Sequence, residues 1–97
     1  MLLLPASVTA PEANDTRRLL LQALKGESEA IVAVDASNLQ RFDSSVLAVL
    51  LECQRAAQAS GQPFELRHAP VKLAALARLY GVDALLMPGS ANGGTRG

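Results

Sequence analysis

Three consecutive segments between residues 30 and 67 constrain the fold most strongly, because they alternate between strand and helix signals. Ala30 to Val34 is a continuous apolar run, rich in β-branched residues and too short for a helix, so it predicts a central strand. Pro63 to Arg67 alternates apolar and polar residues and predicts a second strand that pairs beside the first. Between them, Ser44 to Ser60 predicts the longest helix, ending at Gly61.

The apolar stripe of this helix consists of Val46, Val49, Leu50, Cys53 and Ala57. A strand, a helix and a strand in succession imply a right-handed crossover connection and a sheet with helices packed against it. The predicted fold class is therefore α/β, with a small mixed β-sheet in a single domain.

The amino-terminal segment of the sequence predicts a further short strand and a further helix. Leu2 to Val8 predicts at best a short edge strand, since Pro5 cannot donate a hydrogen bond within a sheet. With Asn14 or Asp15 as its cap, a helix is predicted over Thr16 to Lys25. Its residues at helical spacing are Arg17, Leu20, Leu21 and Leu24.

A third helix is predicted to begin near Pro70 and to end at Gly81. Its expected buried stripe consists of Leu73, Leu76, Ala77 and Tyr80, although Tyr80 could be partly exposed. Val82 to Met87 predicts a last short element packed under the sheet. A single folded domain is expected to span residues 1–88, and residues 89–97 are expected to form a disordered tail because they contain no large apolar side chain.

Charge and length exclude several classes of protein. The chain has 97 residues, with nine basic and nine acidic side chains, so no broad positive field favours nucleic acid or anionic lipid as a partner. The apolar residues 1–4 are too few for a signal peptide or a membrane span, so no membrane insertion is expected. A single cysteine, Cys53, excludes an internal disulfide and makes the cytoplasm the expected location.

The residues available for catalysis do not form a recognisable active site. His68 and Cys53 occur without a carboxylate at motif spacing, so neither a metal site nor a nucleophile with its base is expected. No glycine-rich phosphate-binding motif is present, and no cofactor is expected. Asp35 and Asp43 bracket a loop, and capping of backbone N–H groups is favoured over a cation site. The chain is therefore not expected to be an enzyme.

The turn that opens the central helix combines Asp43 with two hydroxyls, those of Ser44 and Ser45. An unmodified hydroxyl at a helix start is expected to act as a cap and a contact point, whereas a phosphorylated one would add about 1.5 to 2 negative charges. The adjoining Val46 and Leu47 would supply apolar contacts, giving the mixture of a buried centre and a polar rim that suits a protein interface.

These segments together resemble the STAS domain, the fold of anti-sigma-factor antagonists. The resemblance covers Asp15 to Leu86 and rests on the strand Ala30 to Val34, the turn Phe42 to Ser45, and the approach to the next strand at Gly61 to Phe64. The ending Leu76 to Leu86 is similar to that of the small STAS subunits of Mla-type ABC transporters, which move phospholipid to maintain outer-membrane lipid asymmetry in Gram-negative bacteria.

The resemblance implies a non-enzymatic cytoplasmic subunit that binds the transporter's ATPase and supports its assembly or activity. The implied binding residues are those of the turn and first helical turn: Asp43, Ser44, Ser45, Val46 and Leu47. An apolar partner-binding surface tends to self-associate when its partner is absent, so a homodimer is a possible state of the isolated chain.

An alternative implied by the same family is an anti-sigma-factor antagonist that is switched by phosphorylation at Ser44. Antagonists of that kind read Asp-Ser-Ser-Gly, whereas Val46 stands here in place of glycine. A branched side chain would hinder close approach by a kinase, which favours a permanent partner.

Overall fold

The computed structural model describes residues 2–25 and 30–87, so the predicted tail at 89–97 lies outside the described residues. The strands are β1 (Leu2–Leu3), β2 (Ser7–Val8), β3 (Val32–Asp35), β4 (Arg41–Phe42) and β5 (Phe64–Arg67). The helices are α1 (Ala10–Lys25), α2 (Ser45–Ala59), α3 (Val71–Leu79) and α4 (Asp83–Leu86). The predicted α/β class, with helices packed against a small sheet, is confirmed.

The main sheet has the strand order β1-β3-β5, so the prediction of a central strand at β3 is confirmed. Of the segment Leu2 to Val8, predicted as one short edge strand at best, only Leu2–Leu3 lies at the edge of this sheet, and Ser7–Val8 forms a separate strand. Val32 lies opposite Phe64, and Leu2 lies opposite Val34. A second pair joins β2 to β4. All of these described pairings are parallel, whereas a mixed sheet was predicted. The difference arises because strands joined by a helical crossover run in the same direction.

The first helix begins at Ala10, five residues before the predicted cap Asp15, and that part of the prediction is wrong. The start is set by Thr9 and Glu12, at the spacing of a capping box. The Thr9 backbone N–H and hydroxyl both donate to Glu12 Oε1, at 2.7 and 2.6 Å, and the Glu12 N–H donates to the Thr9 carbonyl oxygen at 2.9 Å. Asn14 and Asp15 therefore lie inside the helix.

The predicted stripe of α2 forms the middle of the core. Its five residues are at most 1% exposed: Val46, Val49, Leu50, Cys53 and Ala57. Leu73 and Ala77 of α3 and Leu86 of α4 complete this side of the core. The stripe of α3 is wrong at Tyr80, which is 57% exposed because it lies at the C-cap, beyond the last turn that contacts the core.

Candidate partner-binding site

The Asp43 carboxylate connects the amino-terminal ends of two helices. Asp43 Oδ1 accepts a hydrogen bond from the backbone N–H of Ser45, the first residue of α2, at 2.9 Å. Asp43 Oδ2 accepts one from the backbone N–H of Ala10, the first residue of α1, at 3.1 Å. Backbone N–H groups in the first turn of a helix have no partner within the helix. One side chain therefore caps α1 and α2 together.

These hydrogen bonds also fix the charge of the turn. The pKa of Asp43 is lowered from its ordinary value, chiefly by the Ser45 backbone N–H, then by the Ser45 hydroxyl, and further by the Ala10 N–H. Hydrogen bonds to the ionised form favour it, and a negative charge at a helix N-terminus complements the helix dipole. Asp43 is thus a capping carboxylate, as the sequence favoured.

The two serines of the turn differ in their surroundings. Ser44 is the N-cap residue of α2 and is exposed, yet its side chain makes no capping hydrogen bond. The expectation that its hydroxyl acts as the cap is wrong, because the N–H groups of Val46 and Leu47, from which an N-cap side chain would accept, donate instead to the backbone carbonyl oxygens of Asp43 and Ser44. Ser45 is only partly exposed and lies on the first turn of the helix. The Ser44 hydroxyl is therefore the more accessible of the two.

The apolar half of the predicted contact surface faces inward. Val46 is 0% and Leu47 is 4% exposed, and both belong to the hydrophobic core. Their side chains pack in the core and do not add an apolar contact at the surface. The surface of the turn is therefore polar and consists of Asp43, Ser44 and Ser45; its role in binding a partner stays a prediction.

A charged neighbour of this turn was missed in the sequence. Glu12 lies in the first turn of α1 and accepts hydrogen bonds from the hydroxyls of Ser7 and Thr9. Its pKa is lowered, mainly by the Thr9 hydroxyl and N–H and to a smaller extent by Ser7 and by the positive charge of Arg41. The Thr-x-x-Glu spacing was the signal that could have identified this residue.

A second polar pair lies at the carboxyl ends of β3 and β5. His68 Nδ1 is 3.3 Å from Asp35 Oδ2, and Asp35 Oδ1 accepts a hydrogen bond from the Ser37 N–H at 2.7 Å. The pKa of Asp35 is lowered mainly by the Ser37 N–H and hydroxyl, and less by His68. His68 has a φ of 57°, which is uncommon for a residue with a side chain. Asp35 therefore serves as a loop cap, as the sequence favoured.

The remaining reactive groups do not converge on this turn. Cys53 lies in the core, and burial raises the pKa of its thiol to about 11, which keeps the reactive thiolate scarce. Within residues 2–25 and 30–87, no cluster of three or more His, Cys, Asp or Glu side chains is suited to hold a metal ion.

Comparison with known families decides which class of domain this geometry belongs to. Residues 1–88 match the family model described as "Mlab, STAS domain". The chain belongs to the STAS domain family. In the STAS fold as it occurs here, the Asp43-Ser44-Ser45 turn lies at the start of the central helix. A search of curated proteins found no match to this STAS domain. Among the described helices, none has both the length and the apolar character needed to span a bilayer.

Proposed function

We propose that this STAS domain is a non-enzymatic cytoplasmic subunit of a phospholipid-transporting ABC complex of Gram-negative bacteria. In this proposal it binds the ATPase subunit, is held at the inner membrane through the transporter, and supports the assembly or activity of the complex. The observation that carries the proposal is the match of residues 1–88 to a STAS family described as Mlab.

The geometry of the turn supports docking at the start of α2. Both carboxylate oxygens of Asp43 accept hydrogen bonds from backbone N–H groups of the chain itself, so Asp43 holds the turn in position. The exposed Ser44 hydroxyl is then available to contact a partner. The buried Val46 and Leu47 hold the helix start against the core. A turn fixed in this way loses little conformational entropy when it binds.

The test is purification of the tagged chain from native membranes under conditions that preserve complexes. The proposal expects an ABC-transporter ATPase and its permease to be recovered with the wild-type chain. Ser44→Glu should reduce that recovery at least about tenfold, because it places an unpaired charge in the contact. The matched control is Gln58→Glu, which adds the same charge at an exposed position near the other end of α2.

Two outcomes would contradict different parts of this proposal. Recovery of neither the ATPase nor the permease with the wild type would contradict the transporter function. Equal recovery with wild type and Ser44→Glu would mean that the turn is not the interface. Thermal melts of both variants should stay close to the wild type, which separates lost binding from lost folding.

A second candidate function is regulation as an anti-sigma-factor antagonist, with Ser44 as the phosphorylated residue. The observation in its favour is that the Ser44 hydroxyl is exposed and makes no capping hydrogen bond. The Val46 side chain is fully buried, so the steric hindrance expected from it at this position does not arise. The test is incubation with a cognate serine kinase, which should add one phosphate to the wild type and none to Ser44→Ala.

A further inference from the structure

Helix α3 carries apolar residues on two opposite faces. Leu73 and Ala77 are 0% exposed and pack in the core. Val71 and Leu79 belong to the same helix but are 85% and 79% exposed. Ala75, which is also exposed, lies between them at a spacing of four residues. We call the surface formed by Val71, Ala75 and Leu79 the outward face of α3.

The position of this face on the helix is informative. At about 100° per residue, Ala75 lies about 180° from the midpoint between Leu73 and Ala77. The outward face is therefore centred on the side most distant from the core. An amphipathic surface helix normally places polar residues there. In α3 this side instead carries the exposed apolar residues Val71 and Leu79.

Two cations border the outward face. By the same helical angle, Lys72 lies on one side of the apolar stripe and Arg78 on the other. Neither forms an ion pair with the part of the chain that the structure describes. By contrast, several arginines pair with a carboxylate of their own element, namely Arg18, Arg55 and Arg67. Helix α3 contains no acidic residue that could play this role.

We propose that the outward face of α3 binds an acidic amphipathic helix of a partner protein. The apolar ridge of that helix would lie along Val71, Ala75 and Leu79, and its carboxylates would pair with Lys72 and Arg78. The small Ala75 side chain between two larger ones would let the ridge of a partner helix approach α3 closely. The two cations outside the apolar stripe match the polar rim of a protein interface.

The charges disfavour a second copy of the chain as the occupant. An antiparallel pair of α3 helices would place Lys72 of one copy near Arg78 of the other, and a parallel pair would place each cation near its own equivalent. Like charges brought together in an interface oppose binding. A lipid surface is also a poorer match, because α3 has only nine residues and has alanine at the centre of its apolar stripe.

This surface lies on a different element from the Asp43-Ser44-Ser45 turn, so it goes beyond the proposed transporter contact. The first step of its test places a photo-crosslinking amino acid at position 75 of the full chain in cells, with position 22 on α1 as the exposed control. Mass spectrometry then identifies the crosslinked segment. We expect a protein segment with helical periodicity, an apolar stripe and at least two carboxylates.

The second step measures binding of that segment, made as a synthetic peptide, by fluorescence polarisation. The double variant Lys72→Glu/Arg78→Glu should weaken binding at least about tenfold, which corresponds to about 1.4 kcal/mol. A peptide whose carboxylates are replaced by lysine should bind the double variant better than the wild type. Leu79→Ser should also weaken binding, and thermal melts should show that these exposed substitutions leave the fold intact.

Several results would overturn this proposal. The first is a crosslinked adduct at position 75 that is no more abundant than the adduct at position 22. The second is an adduct that contains only a second copy of the chain. The third is a peptide affinity that the charge reversal leaves unchanged. Binding of the chain to vesicles of 30% phosphatidylglycerol in phosphatidylcholine, without a protein adduct, would instead identify a membrane surface. If a protein is crosslinked at position 75 but the ATPase is not recovered when the chain is purified, only the proposed transporter function is contradicted.

Discussion

The Asp43 carboxylate accepts a hydrogen bond from the backbone N–H of Ala10 at 3.1 Å, although the two residues are 33 positions apart in the chain. The same carboxylate caps Ser45, so the starts of α1 and α2 share one negative charge. The turn that we propose as a partner contact is consequently tied to the amino-terminal helix, and a change at Asp43 should affect both helices.

Removing this shared cap should destabilise the fold. Asp43→Ala leaves the Ala10 and Ser45 N–H groups without their side-chain acceptor, and we expect the midpoint of thermal unfolding to fall by roughly 5 °C. Asp43→Asn keeps one acceptor oxygen and should have an intermediate effect. Ser44→Ala is the control, since its hydroxyl makes no cap, and it should melt within about 1 °C of the wild type. Circular dichroism melts at pH 7 measure all three.

The effect of Asp43 should depend on pH. Its pKa is lowered in the folded state, mainly by the Ser45 N–H, from an ordinary value of 3.8. The unfolded chain therefore binds the proton more tightly, so the contribution of Asp43 to stability is present above pH 3.8 and is lost as the pH falls through the lower folded-state pKa. The difference in melting midpoint between wild type and Asp43→Asn should be largest near neutral pH and should shrink in acid. A difference that grows in acid would contradict this assignment.

Restoring the glycine of the anti-sigma antagonists at position 46 should weaken the fold. Val46 is fully buried, so Val46→Gly removes three buried carbons and places a flexible residue in a helix, and we expect a loss of about 3 kcal/mol in the free energy of unfolding. The control is Ala48→Gly, at an exposed position of the same helix, which should cost only about 1 kcal/mol. Denaturant titration measures both, and equal losses would mean that Val46 does not pack in the core.

The end of α3 should favour residues that adopt a positive φ at position 81. Gly81 has a φ of +74°, and the next residue, Val82, donates its N–H to the Ala77 carbonyl oxygen at 2.9 Å, which closes the helix. An added Cβ would meet no atom within 4 Å, so the cost of Gly81→Ala is purely conformational, about 1 kcal/mol. Gly81→Asn should cost less, because asparagine adopts this conformation more readily. Comparable losses for the two variants, measured by denaturant titration, would argue against a positive φ.

Cys53 should report on global unfolding. Its thiol is buried and has a pKa of about 11, so alkylation by iodoacetamide at pH 8 should be slower than for the unfolded chain by a factor of about 100 or more. The rate should rise to that of a free thiol in denaturant. Mass spectrometry of timed samples measures this, and rapid labelling of the native chain would contradict the burial of Cys53.

Much of the fold was readable from the sequence because it is encoded in local periodicity. The five apolar positions of α2, from Val46 to Ala57, follow the helical repeat and all lie in the core. The strand at 32–35 overlaps the predicted apolar run 30–34, the strand at 64–67 lies within the predicted alternating segment 63–67, and the two strands pair as expected. The start of α1 differs from the prediction although its signal is local, because Thr9 and Glu12 cap the helix at Ala10, ahead of Asp15.

The sequence by itself determined the α/β pattern, the central helix and the position of the Asp43-Ser44-Ser45 turn, since each depends on neighbours within a few residues. Only the tertiary structure decided that Asp43 caps α1 as well as α2, because hydrogen bonds between distant segments depend on how the chain packs. It also decided that Leu47, predicted as a surface contact, faces inward, whereas Val71 and Leu79 are left at the surface. Periodicity in the sequence shows which apolar residues share a face, whereas packing determines which of the remaining apolar residues are covered.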